Sequence, residues 1–144
     1  MTEKEKIAFL AQYQEQIKLI KGRVYEIAKW DDIRRGIAQH YSDMPHGSSA
    51  NSAKFEKPTN MIADIITQLR EEIEQSQKIA DQIKCAIDSM SNSRYRILLT
   101  VWYINGMPID DIVELFKKQN RRSIYKLRKS ALKKFEVPKN EKKV

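Results

Sequence analysis

The amino-acid sequence predicts an all-α fold in which a long antiparallel helical hairpin precedes a compact three-helix unit. The chain has 144 residues but only 4 Gly and 4 Pro, too few for the many tight turns of an all-β architecture. Apolar residues recur at helical spacing over two long segments. Closer to the carboxyl end, shorter apolar segments alternate with turn residues, which is typical of short packed helices.

The first helix is predicted from about residue 3 to residue 37. Its apolar residues alternate spacings of three and four, the pattern of a coiled-coil seam. The seam residues are Leu10, Tyr13, Ile17, Ile20, Val24 and Ile27. Pro45, Gly47 and a serine cluster then interrupt the helical pattern, so a loop is predicted over residues 41–58.

A second helix is predicted to begin near Thr59 or Asn60, either of which can cap it after Pro58. Its seam repeats the same alternation through Ile62, Ile66, Leu69, Ile73, Ser76, Ala80, Ile83, Ile87 and Met90. Two long helices with matching seams are expected to fold back on each other, so residues 1–90 are interpreted as an assembly hairpin.

The hairpin is expected to form a homodimer, because each of its seams is narrow and leaves an apolar edge. A second copy or a partner protein is expected to cover that edge. The residues assigned to the edge are Phe9, Trp30, Ile65 and Ile79.

Residues 91–136 are predicted to form the compact unit. A helix capped at residues 91–93 ends at Asn105-Gly106, since glycine tolerates the left-handed conformation of a helix terminus. Pro108 opens a short helix that reaches about Lys117, and a four-residue turn separates it from a last helix over residues 121–135. This order is the plan of a helix-turn-helix. The predicted core is Ile97, Leu98, Val101, Ile112, Leu115, Phe116, Ile124, Leu127 and Phe135.

The positive charge is concentrated at the carboxyl end. The chain has a formal net charge of +8, and residues 91–144 carry 14 basic and 5 acidic residues. Nine of the basic residues lie between Lys117 and Lys134 with no acidic residue among them, and residues 137–144 are predicted to be a disordered basic tail. An acid-free run of this length favours a polyanionic partner, nucleic acid first and an anionic membrane surface second. An ordinary solvated basic face is the remaining alternative.

The last helix divides into an apolar face and a basic face. Ile124, Leu127 and Ala131 lie on one side at helical spacing, and basic residues lie on the other. The basic side lacks the Trp, Phe or Leu that membrane insertion requires, which favours double-stranded DNA as the partner. The residues predicted to contact DNA are Lys117, Lys118, Arg121, Arg122, Tyr125, Lys126, Lys129 and Lys133.

Residues 106–113 (GMPIDDIV), together with Ser123-Ile124 and residues 131–135 (ALKKF), resemble the helix-turn-helix of sigma-70 region 4. Pro108 departs from that pattern, where a serine cap is usual, and the turn over residues 117–120 is one residue longer and has no glycine. The motif nevertheless keeps its order of short helix, turn and basic helix. The resemblance implies a DNA-binding function for residues 91–136.

The whole chain, over about residues 5–135, resembles small phage-encoded regulators of late transcription of the ArpU/RinA type and their relatives. Those proteins carry a Tyr-x-Asp-Met-Pro-x-Gly loop before a sigma-like helix-turn-helix, and here that loop is Tyr41–Gly47. The resemblance implies a regulator, in the activating direction, of late phage or prophage transcription in the cytoplasm of a bacterial host. It leaves contact with RNA polymerase open.

Catalysis is not expected from this sequence. There is no phosphate-binding glycine loop, nucleophile motif or metal-ligand spacing, and the chain has one cysteine and 2 His. We therefore expect no enzymatic activity, no cofactor and no metal. The longest uncharged segment, Ile97–Ile109, has 13 residues and is too short to span a bilayer, so no membrane association is expected.

Two other functions fit a basic helical protein. A small terminase subunit also joins a helix-turn-helix to oligomerising helices, but such proteins usually carry the DNA-binding part first, whereas here it comes last. A helical adaptor would bind a host protein through the hairpin and touch DNA only non-specifically.

Overall fold

The computed structural model describes residues 1–42, 49–117 and 119–138. Every regular element in these residues is a helix, and none of them forms a β-strand, so the all-α prediction is confirmed. A short π-helical segment directly continues the third helix. The elements are α1 (Glu3–Ser42), α2 (Ser49–Asp88), α3 (Ser93–Leu99), the π-helical segment (Thr100–Ile104), α4 (Ile109–Leu115) and α5 (Arg121–Lys134).

The loop predicted over residues 41–58 is wrong at both of its ends. Helix α1 continues to Ser42, and α2 already begins at Ser49 rather than at Thr59 or Asn60. Residues 43–48 lie outside the described residues. The helix was predicted to begin after Pro58, but α2 continues through this residue, which removes one backbone donor from the helix. The segment before Pro58 is rich in residues with good helical propensity, including alanine, lysine and glutamate.

The chain forms two compact units. The terminal unit consists of Met1–Ile17 with Gln77–Val144, and the central unit consists of Lys18–Ser76. This division does not follow the boundary predicted at residue 90. The physical reason is that the first turns of α1 and the last turns of α2 share one apolar core with α5, so the helix-turn-helix is not packed by its own residues alone.

The core of the terminal unit joins residues from the two ends of the sequence. Phe9 and Leu10 of α1 pack in one cluster with Ile83 and Ile87 of α2 and with Phe135, which follows α5. The ring centroids of Phe9 and Phe135 are 6.0 Å apart. Phe9 was predicted to form an apolar edge for a second copy, but Phe135 of the same chain covers it.

Helix α1 also contacts the backbone at the end of α5. Lys6 Nζ donates a hydrogen bond to the carbonyl oxygen of Leu132 at 2.9 Å. The last carbonyls of a helix have no partner within the helix and carry its partial negative charge, so an ammonium group at this position stabilises the helix end. The amino-terminal helix thereby fixes the carboxyl end of α5.

A second apolar cluster of the terminal unit holds the helix-turn-helix together. Its buried residues are Leu98, Val101, Ile112 and Ile124, with Phe116 and Leu127 partly buried against them. Three residues predicted for this core are not in it: Ile97 is 48% exposed, Leu115 is 50% exposed, and Phe135 is buried in the other cluster. Helices α3 and α4 have only seven residues each, so one narrow side of each reaches the core and the neighbouring residues point outward.

The predicted helix ends are confirmed by their capping contacts. The side chain of Asn92 accepts hydrogen bonds from the backbone N–H groups of Arg94 and Tyr95 at the start of α3. Asn120 caps α5 in the same way by accepting from Ser123 N at 2.8 Å. Gly106 has a φ of +63°, the left-handed conformation predicted for the end of the preceding helix.

The two predicted seams differ in outcome. On α2, every seam residue is buried except Ile73, which is half-buried. On α1 in the central unit, Val24 is 53% exposed and Arg23 is the partly buried residue beside it. Arg23 Nε donates to Glu72 Oε2 at 2.8 Å. Val24 therefore departs from the predicted seam, whereas Ile20 and Ile27 on either side of it remain partly buried.

Replacing Leu10 tests whether α1 belongs to the same core as α5. Leu10 is fully buried, so Leu10→Ala is expected to lower the free energy of unfolding by about 2–5 kcal/mol through lost contacts and a cavity. Leu115→Ala is the matched control, since Leu115 is half exposed, and about 1 kcal/mol or less is expected there. Urea unfolding followed by circular dichroism measures both, and equal effects would contradict a shared core.

Candidate nucleic-acid interface

The candidate site is built on α4, α5 and the turn between them. Asn120 caps α5, and Arg121 at its first position binds Asp110 of α4 through two nitrogen atoms. The distances to Asp110 Oδ1 are 2.9 Å from Arg121 Nε and 2.6 Å from Arg121 Nη2. These contacts join the start of α5 to α4 at the protein surface.

The outward side of α5 presents a stripe of cations. Four basic residues are all exposed, and their spacing of four, three and four keeps them on one side of the helix. None of them forms an ion pair with another described residue. On the opposite side, Ile124, Ala131 and Leu132 are buried. This basic stripe consists of Arg122, Lys126, Lys129 and Lys133.

The other predicted contact residues have different surroundings. Arg121 is exposed but engaged with Asp110. Tyr125 is half exposed and packs edge-on against Trp102, with ring centroids 5.6 Å apart. Lys117 is exposed in the turn, and Lys118 lies outside the described residues. Tyr125 thus lies beside the basic stripe. Arg121 lies next to α4, where it binds Asp110.

Arg128 belongs to the basic run in the sequence but not to the exposed stripe. Its guanidinium carbon lies 4.7 Å from the centroid of the Trp102 ring, and its Nε donates to the hydroxyl oxygen of Tyr103 at 3.0 Å. The side chain is therefore used inside the protein, where it joins α5 to the π-helical segment. Helical spacing contains the signal for this, since Arg128 lies four residues after buried Ile124 and three before buried Ala131.

The π-helical segment explains why two adjacent aromatic residues reach the same arginine. The N–H of Asn105 donates to the carbonyl of Thr100, five residues earlier, at 3.0 Å. A π-turn inserts an extra residue into a helical turn and changes the direction of the side chains around it. Trp102 and Tyr103 both contact Arg128 as a result. The sequence patterns did not predict this segment.

The hydroxyl of Tyr103 is the titratable group that this packing perturbs most clearly. Burial raises the pKa of Tyr103 above its usual value, and the hydrogen bond from Arg128 opposes the rise without cancelling it. The neutral hydroxyl is therefore the form that the folded protein stabilises.

Opposite charges are separated between the two helices of the motif. Asp110, Asp111 and Glu114 on α4 are exposed, whereas the exposed charged residues of α5 are all basic. The exposed surface of α5 is therefore positively charged, and the exposed surface of α4 carries these three acidic residues. Among the described residues, no group of three His, Cys, Asp or Glu side chains can hold a metal ion.

Residues 52–136 match one protein-family model, DUF1492, which is described as a protein of unknown function. The chain belongs to the DUF1492 family. The matched range contains nearly all of α2 and the whole of α3, α4 and α5, so every predicted DNA contact lies within it. No curated protein and no solved structure matches the chain. None of the described helices combines the length and apolar composition that crossing a membrane requires.

The raised pKa of Tyr103 predicts a loss of stability in alkaline solution. A pKa raised in the folded state stabilises the fold at pH values below the unfolded pKa, about 10, and this contribution disappears as the pH rises through the folded pKa. The unfolding free energy of the wild type should therefore fall more steeply above pH 10 than that of Tyr103→Phe. Leu98→Ala, a buried change without a titratable group, should shift the whole curve and keep the wild-type slope. Parallel curves for Tyr103→Phe and the wild type would contradict the prediction.

The turn before α5 contains a second testable feature. Lys117 has a φ of +32°, a region that glycine adopts without strain and other residues adopt at a cost of about 1 kcal/mol or more. Lys117→Gly should therefore be more stable than Lys117→Ala by about 1 kcal/mol, although both variants lose the same charge. Thermal and urea unfolding measure the difference, and equal stability would show that the turn relaxes to another conformation.

Proposed function

We propose that this chain is a sequence-specific double-stranded DNA-binding protein that activates late phage or prophage transcription in the cytoplasm of a bacterial host. The observation that carries the proposal is the basic stripe: Arg122, Lys126, Lys129 and Lys133 are exposed on one side of α5 and have no ion-pair partner among the described residues. The other side of the same helix is buried in the core, which is how a recognition helix is presented to DNA.

Position along α5 separates two kinds of contact. Arg122 and Lys126 lie in its first turns, which enter the major groove in helix-turn-helix proteins, and an arginine there can bind guanine through two hydrogen bonds. Lys129 and Lys133 lie farther along and are proposed to bind phosphates, together with Lys117 in the turn. Arg121 is already held by Asp110, so we assign it the role of orienting α5.

The helix is held before DNA arrives. Asn120 caps its start, Arg128 attaches its middle to Trp102 and Tyr103, and Lys6 binds the carbonyl of Leu132 near its end. A preorganised helix loses little conformational entropy on binding, so more of the interaction energy remains as affinity. Tyr125, which rests on Trp102, is likewise prepared to contact a phosphate or a thymine methyl group.

The assembly proposed on DNA is a homodimer, because symmetric helix-turn-helix proteins read paired half-sites. RNA polymerase is the further partner that activation requires, and the family resemblance is what supports it. We propose no enzymatic activity and no cofactor.

The two kinds of contact make different predictions. Lys133→Ala should weaken binding to a selected site and to random duplex equally, and should lower the slope of log K against log salt by about 0.9. Arg122→Ala or Lys126→Ala should instead reduce the preference for the selected site, by about 1–3 kcal/mol for a lost bidentate base contact. Fluorescence anisotropy over a range of salt concentrations measures these quantities once selection of bound fragments has supplied the site.

The control is Lys84→Ala, which removes an exposed cation from α2 and should leave both affinities unchanged. If Lys133→Ala changes the ratio of the two affinities while Arg122→Ala and Lys126→Ala do not, α5 enters the groove in another orientation. If the wild type binds the selected and the random duplex equally, the sequence-specific function is wrong and the adaptor function replaces it.

A further inference from the structure

Helix α1 has an exposed face in the central unit, and one side of this face borders an open groove against α2. Five residues form it, and at about 100° per residue all of them lie within about 60° of the direction of Gly22. All five are exposed. We call this surface the Gly22 face, and its residues are Lys18, Leu19, Gly22, Tyr25 and Glu26.

Among the described residues, no atom packs closely against the position where Gly22 lacks a side chain. It lies in the interior of a 40-residue helix, where glycine is less favourable than alanine because it loses more backbone freedom on folding. A Cβ atom at this position would meet nothing within 4 Å, so the missing side chain makes room for no other part of the protein. The room that glycine leaves is on the outside, where it permits the backbone of another helix to approach closely.

The residues around Gly22 are complementary to themselves when the order is reversed. Lys18 lies four residues before Gly22 and Glu26 lies four residues after it. An antiparallel second copy of α1, centred at Gly22, therefore sets Lys18 of each chain opposite Glu26 of the other. A parallel second copy would set Lys18 against Lys18 and Glu26 against Glu26, which is repulsive.

The apolar residues of the face follow the same symmetry. Leu19 lies three residues before Gly22 and Tyr25 three residues after it, so an antiparallel copy brings Tyr25 of each chain onto Leu19 of the other. Leu19 also lines an open groove between α1 and α2, opposite Ile65 and Leu69, and the same groove is bordered by Lys18, Gly22 and Glu26. A tyrosine ring at Leu19 would cover the mouth of that groove and remove Leu19, 45% exposed, from water.

We propose that a second copy of this chain docks on the Gly22 face, with the two α1 helices antiparallel and Gly22 at the two-fold axis. The Gly22 face would be the interface of the homodimer that the proposed function includes, and the proposal rests on that function only in this respect. The dimer itself requires no DNA, so its mass is measured in the absence of DNA.

Charge reversal tests the pairing directly by sedimentation equilibrium. Lys18→Glu or Glu26→Lys alone creates two like-charge pairs across the axis and should weaken dimerisation by about tenfold or more. The double variant Lys18→Glu/Glu26→Lys restores both pairs and should return the dissociation constant to near that of the wild type. An equimolar mixture of the two single variants should form mixed dimers for the same reason. The control is Lys21→Glu, an exposed charge change off the Gly22 face, which should have little effect.

The position of the axis has its own test. Gly22→Leu should prevent the close approach of the helices and yield a monomer, whereas Ala28→Leu, on another side of α1, should remain dimeric. Gly22→Leu introduces a better helix-forming residue, and Ala28→Leu exchanges two residues of high helix propensity, so circular dichroism should show undiminished helix in each. With Cys85 replaced by serine, Gly22→Cys should form a disulfide with its own copy on oxidation, and Lys29→Cys should not.

Dimerisation of Gly22→Leu with wild-type affinity, or failure of the double charge reversal to restore the dimer, would overturn the proposed interface. A wild type that stays monomeric at high micromolar concentration would overturn it as well. None of these three results would contradict the proposed DNA recognition by α5, because a monomer can also bind DNA. Conversely, an intact dimer that fails to prefer any DNA site would overturn the proposed function and leave the interface standing.

Discussion

The contact between the first turns of α1 and the end of α5 is the one on which the rest of the terminal unit depends. Phe9 and Leu10 pack in one apolar core with Phe135, and Lys6 donates a hydrogen bond to a backbone carbonyl near the end of α5. Helices as short as α3 and α4 cannot bury enough apolar surface by themselves to offset the entropy of ordering their residues. The long helices supply the missing apolar surface, so the compact unit of α3, α4 and α5 is part of a larger core.

This packing determines which basic side chains of α5 are exposed to solvent and which contact other parts of the protein. A rigid helix has one side in the core and one in water, and Arg128 lies on the inner side, where Trp102 and Tyr103 receive it. The π-helical segment makes that contact possible by directing both aromatic residues toward α5. The basic stripe is what remains outside, on a helix whose start, middle and end are each held by a specific contact.

In the central unit, α1 likewise has one side toward α2 and another side toward solvent. Arg23 and Glu72 form an ion pair within the unit, although Arg23 Nη1 is enclosed and has no hydrogen-bond partner among the described residues. Pairing of charges of this kind contributes more to the register of helices than to their stability. The solvent side retains Gly22 and the charges around it, a surface whose symmetry suits a second copy of the same helix.

The sequence by itself determined the features that depend on neighbouring residues: the helical class, the seam of α2, the cap at residues 91–93, the turn at Gly106 and the basic side of α5. Each is decided by spacing or by a side chain that binds backbone within one turn. Only the tertiary structure decided that Phe9 is covered by Phe135, that Arg128 is turned inward, that Ile97 and Leu115 are exposed and that the compact units divide away from residue 90. These outcomes depend on contacts between residues far apart in the chain, and periodicity within a helix carries no information about which distant side chain fills a given space.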